Sequence, residues 1–194
     1  MQRLLKKMQK LWQKKIKLNY KNIVDIVQYG SSVIEGKEPK DIDIAVIFEK
    51  IPLKEQLEEA QKIKEDLQKH TEIKIHIKSF DLYSLFDKGN FAKEGILFYG
   101  KSLIYKDEFS KRFGLLPKIK IFYSLKDLEK KGKVKFNYLL NGKSKKYGLI
   151  KKYAGKIISP GIVETKPEYE IVFTESMKKI SKEISVKKIF EMIE

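Results

Sequence analysis

Asp41 and Asp43 flank a single isoleucine at the head of an apolar run, and Gly30-Ser31-Ser32 precedes them, with Ser31 ten residues before Asp41. In an extended strand alternate side chains share a face, so the two carboxylates would project together. Carboxylates that close repel one another in a low dielectric unless a cation lies between them. An oxygen donor set suits magnesium, whose usual companion is a phosphate-bearing ligand. A Gly-Ser turn just upstream offers backbone N–H groups and a hydroxyl to such a phosphate. These residues point to metal-assisted phosphoryl chemistry on a nucleotide. An Asp-x-Asp pair alone also serves as a solvated cap at a strand start; the upstream turn is what favours a site.

The elements that must position these residues follow from hydrophobic periodicity. Ile23–Tyr29 is an apolar, β-branched run suited to a first strand, and Ile42–Phe48 to a second. Lys54–His70 reads as a helix after Pro52, with Leu57, Ala60, Ile63, Lys64 and Leu67 on one face. Glu72–Lys78 alternates strictly, which predicts a third strand carrying Ile73, Ile75 and Ile77 on one face and His76 on the other. A short helix over Asp81–Asp87, a helical stretch over Phe91–Tyr99 ending at Gly100, and a brief strand over Ser102–Tyr105 complete this part. The expected division is a basic amphipathic helix within 1–19, a domain at 20–110, and a second domain at 117–194. In the second domain Ser124 is expected to cap a helix reaching about Lys131. Helices over Val134–Leu140, Leu149–Ala154 and Phe173–Glu183, a strand over Ile162–Thr165, and a strand or helix near Val186–Ile193 would make it a small α+β unit.

Gly30-Ser31, then Asp41-Ile42-Asp43 in an apolar strand, then Glu94-Gly95-Ile96-Leu97-Phe98-Tyr99-Gly100, resembles the nucleotidyltransferase superfamily typified by DNA polymerase β, especially its minimal members. The resemblance covers about residues 20–105. It implies an α/β (α+β) domain with a mixed sheet and helices on one face. It also implies that Asp41 and Asp43 are catalytic and bind Mg2+ (or Mn2+), and that Gly30 and Ser31, with Ser32 as a neighbour, hold an NTP. Two departures stand out. The spacing from Gly30 to Gly36 is one residue longer than the usual pattern, with Glu35 where a cation is common. The third carboxylate that the family draws from the next strand is replaced by His76. An imidazole can accept a proton near neutrality, although it is a weaker magnesium ligand than an oxygen. His70, at a helix end, reads as structural or exposed.

Charge points to the partner. Residues 1–24 carry eight cations and no acid, 25–110 carry 13 cations and 17 acids, and 111–156 carry 15 cations against Asp127 and Glu129 alone. Phosphate neutralisation by lysine drives sequence-independent nucleic-acid binding, whereas lysine-rich composition and solubility are the bland alternative. Lys133, Lys135, Lys143, Lys145, Lys146, Lys151 and Lys152 are interleaved with aromatics and are the candidate nucleic-acid contacts, RNA being preferred to DNA. An amphipathic helix with Phe136, Leu139 and Leu140 in a core accounts equally well for the aromatics. Cysteine is absent, no run approaches the roughly 18 apolar residues of a membrane span, and the N-terminus has no secretory pattern, so a cytoplasmic protein with no membrane partner is expected. Abundant Lys, Glu and Ile without Cys suits a thermophile.

The expected reaction is transfer of a nucleoside monophosphate from NTP to a hydroxyl, on RNA such as tRNA. Two alternatives differ in class: a degenerate transferase scaffold that binds RNA without catalysis, and a minimal transferase that modifies a protein or small molecule.

Overall fold

The computed structural model describes residues 22–144 and 146–193, so the expected helix within 1–19 lies outside the described residues. The protein is a mixed α+β chain, and its contacts divide the described residues into two compact units, 22–33 with 37–114 and 34–36 with 115–193.

The first unit is built on β1 (Ile23–Tyr29), β2 (Asp41–Phe48), β3 (Lys74–Asp81) and the two-residue β4 (Lys101–Ser102), in the order β3-β2-β1-β4. β1 is antiparallel to β2 and β4, whereas β2 and β3 run parallel. A parallel pair needs a crossover, supplied here by helix α1 (Leu53–Gln68). Alternation sorts the strands onto two faces. Ile26, Ile42, Ile44, Val46, Phe48 and Ile75 pack with Ala60, Ile63 and Leu67 of α1. Val27, Tyr29, Ala45 and Ile47 face the other way and pack with Leu85, Ile96 and Phe109. The last three come from helix α2 (Leu82–Phe86), a π-helical segment (Gly95–Tyr99) and a 3-10 turn (Phe109–Phe113). Helical segments therefore cover parts of both faces, rather than one as the resemblance implies.

Two details differ from the sequence reading. Leu57 is 56% exposed, and Gln56 is buried in its place, its amide donating to Ile51 O. β3 begins at Lys74 and continues to Asp81, which caps α2 by accepting from Ser84 N at 2.7 Å.

The second unit contains β5 (Leu115–Tyr123), helix α3 (Lys130–Asn141), the β6 (Gly142–Lys143) and β7 (Lys146–Tyr147) hairpin, the single turn α4 (Leu149–Lys152), β8 (Lys156–Ser159), β9 (Ile162–Thr165), α5 (Glu170–Lys178) and β10 (Ile184–Met192). β10, β5, β9 and β8 form an antiparallel sheet in that order. Ile119, Ile121, Val163, Phe136, Leu140, Phe173 and Met177 are buried in this unit.

The second domain is expected from Pro117; the units divide after Gly114, and Pro117 itself lies within strand β5, which begins at Leu115. Proline is tolerated there because β9 reaches only as far as Ile119, so no ladder bond on that side needs a Pro117 N–H. The helix expected from Ser124 starts instead at Lys130. Ser124 Oγ accepts from Lys126 N at 3.3 Å, and its carbonyl accepts from Ser181 Oγ at 2.9 Å, so this residue anchors a turn. The helix expected over Phe173–Glu183 runs from Glu170 to Lys178, and the C-terminal segment is a strand.

Candidate functional site

β1 ends at Tyr29 and the chain turns at once into a 3-10 segment, Gly30–Val33. Gly30 adopts φ 73°, a left-handed conformation natural to glycine. A Cβ at this position would run into the Asp43 carboxylate, so the turn passes directly against the second aspartate. Ser31 is half-buried. Ser32 is buried, its Oγ donating to Tyr29 O at 3.1 Å and accepting from Gln28 Nε2 at 3.0 Å. Its hydroxyl is thus committed to holding the turn. A phosphate meeting this turn would find the backbone N–H groups and Ser31, with Ser32 supporting them.

Asp41 and Asp43 emerge on the β2 face that carries Ala45 and Ile47, opposite α1. The parallel register sets Asp43 beside His76 on β3. His76 Nδ1 lies 3.4 Å from Asp41 Oδ2 and 3.9 Å from Asp43 Oδ1. One donor atom from each of the three residues falls within 4.8 Å of the others, a group that could hold a metal ion. All three remain partly open to solvent, so an ion or substrate can reach them.

Burial, and next the charge of Asp41, raise the Asp43 carboxyl above its ordinary range, against the opposing pull of His76 and Lys78. A divalent cation would relieve this repulsion, which is the physical reason the cluster suits one. Two aspartates supply the oxygen donors that Mg2+ demands; the imidazole makes Mn2+ equally compatible.

Two participants escaped the sequence reading. Lys78 stands two residues beyond His76 on β3, and its charge acts on Asp43; strand alternation carried that signal. Tyr29 pairs with Asp43 across the sheet, and burial followed by the Asp43 charge pushes its phenol up to about 12. It is a neutral wall of the site at any ordinary pH.

The lysines expected to meet nucleic acid lie in the second unit. Lys133 and Lys135 are on α3, Lys143 and Lys146 face each other across the β6–β7 hairpin, and Lys151 and Lys152 are on α4; all six are exposed. Lys145 lies outside the described residues. His70 follows α1, its backbone N–H donating to Leu67 O.

No protein-family model matches the chain, and no curated protein matches its sequence. No helix among the described residues is long and apolar enough to cross a membrane.

Proposed function

We propose that the chain is a nucleotidyltransferase of the polymerase β-like kind, transferring a nucleoside monophosphate from an NTP to a hydroxyl on RNA. The observation that carries this reading is the convergence of Asp41, Asp43 and His76 beside a glycine turn that touches Asp43. Asp41 and Asp43 would hold Mg2+ or Mn2+, which supplies positive charge against the phosphates when bound. Gly30 and Ser31 would receive the triphosphate through backbone N–H groups and the Ser31 hydroxyl. His76 presents Nδ1 to the carboxylates. That orientation directs Nε2 away from them, where it would accept the proton of an attacking hydroxyl.

The test is incorporation of labelled NTPs into total RNA by the full chain with Mg2+ or Mn2+. Activity is expected with the native chain and is expected to fall to background with Asp41→Asn and Asp43→Asn combined. Full activity of that double variant would overturn the role given to the aspartates.

One observation favours a second reading, a transferase scaffold that binds RNA without catalysis: the third position is an imidazole, not a carboxylate. It predicts no incorporation of any nucleotide by the native chain, with RNA binding retained. His76→Asp separates the two, since a working histidine base would lose rate, whereas a relic site would gain metal affinity from a third carboxylate.

A further inference from the structure

The aromatics of the second unit fall into two sets. Phe136 and Leu140 are buried, whereas Tyr138 is 41% and Tyr147 67% exposed. An exposed tyrosine is an ordinary surface feature on its own. Here each ring has a lysine ammonium beside it: Lys143 Nζ lies 5.4 Å from the Tyr138 ring centre and Lys151 Nζ 4.2 Å from that of Tyr147.

The two tyrosines sit on one rigid frame. The N–H of Gly142, the residue that ends α3, donates to Tyr138 O, and Gly142 pairs directly with Tyr147 in the hairpin. The chain is tight at this corner. A Cβ on Gly142 would strike Lys146 O, and one on Gly148 would strike Leu140 O. The backbones carrying the rings are thus held to each other before any ligand arrives, which lowers the ordering cost of binding.

The charge around them is unspent. Lys118, on the sheet, is paired with Glu164 at 3.1 Å and with Glu191. Among the described residues, Lys143, Lys146, Lys151 and Lys152 are not paired with any carboxylate.

We propose that α3, the β6–β7 hairpin and α4 form a stacking platform for single-stranded RNA, with Tyr138 and Tyr147 receiving bases and the four lysines receiving phosphates. Base–aromatic stacking needs an unpaired base face, and cations beside each ring suit a backbone that passes it. An incoming base competes with the ammonium for the ring, and the displaced ammonium meets the phosphate of that nucleotide. The platform deepens the RNA arm of the function proposed above and rests on that reading for its choice of partner, but it does not require Asp41 and Asp43 to be active.

Binding of the full chain to a labelled, unstructured RNA of about 12 nucleotides, without NTP or metal, is the test. Tyr138→Ala and Tyr147→Ala are each expected to weaken binding about tenfold and the Tyr→Phe variants less than about twofold, because a benzene ring still stacks. A blunt RNA duplex of the same length is expected to bind more weakly than the single strand. The native chain is expected to cross-link through Tyr147 to bromouridine-substituted RNA, a readout that needs no variant to fold. Tyr→Ala variants that bind as tightly as the native chain, or a duplex bound as well as the single strand, would overturn the platform. Loss of nucleotide incorporation with this binding intact would count against the transferase reading alone.

Discussion

At Gly30 a single missing side chain controls where a carboxylate can stand. Its φ of 73° costs an alanine about 1–2 kcal/mol, and the added methyl would meet Asp43. Gly30→Ala is therefore expected to lower stability by about that amount in urea unfolding and also to weaken Mn2+ binding measured by calorimetry. Gly36 is the control. It has φ 88°, but its nearest foreign atom is a Val172 methyl at 3.3 Å. Gly36→Ala is expected to destabilise while leaving Mn2+ affinity intact; equal effects of both variants on the metal would sink the link between Gly30 and Asp43. The Gly-Ser pair and the Asp pair were both legible as residues. That the glycine touches the second aspartate was not, because the contact joins two strands whose register no local pattern states. The direction of Ser32 was hidden for the same reason, since a serine after a glycine turn can face either side.

At the scale of elements, β4 has two residues and needs help to hold the sheet edge. Part of that help is Asp25, a fully buried residue of β1 whose Oδ1 accepts from Ser102 Oγ and from Ile26 N, each at 2.7 Å, while Oδ2 has no partner among the described residues. Burial pushes this carboxyl up to about 6 from an ordinary 3.8, against the pull of the Ser102 and Ile26 bonds and the Arg112 charge. The folded chain keeps this proton while the unfolded chain releases it, so folding binds a proton between these two pH values. Stability from this residue falls as pH rises from about 4 to about 6 and is level above, a change on the order of 3 kcal/mol. Asp25→Asn cannot ionise, so its stability relative to the native chain is expected to rise by about that amount between pH 4 and 6.5, measured by urea unfolding. A difference that does not vary with pH would remove Asp25 as the source. β1, β2 and the central helix were legible from β-branched runs and helical spacing. Strand β5 was not. Pro117 reads locally as a break, and only the short reach of β9 shows why a strand tolerates it.

For the whole molecule, the mildly acidic 25–110 segment holds the Asp pair and the strongly basic 111–156 segment holds the tyrosine platform. The proposed chemistry and the proposed RNA grip thus belong to different units and should be separable. Asp41→Asn with Asp43→Asn is expected to leave RNA affinity unchanged. Replacing Lys143, Lys146, Lys151 and Lys152 by glutamine is expected to reduce the slope of log affinity against log salt by about 3, since each single-strand phosphate contact contributes about 0.7. An unchanged slope would place the RNA elsewhere on the chain.

The order of residues was enough to set the strand periodicity that puts Asp41 and Asp43 on one face, the glycine turn before them, and the basic character of the second half. These depend on side-chain type and on spacing within one element. Strand alternation and the resemblance already put His76 where a third carboxylate is usual. The tertiary structure settled how near it stands to each aspartate, because burying Ile42, Ile44 and Ile75 under α1 selects one parallel register of β2 and β3. It alone decided which aromatics are core and which are surface, since Phe136 and Tyr138 differ in the side of α3 that packing covers. Contacts between distant segments are chosen by which apolar faces bury together, and that choice is made by the whole fold.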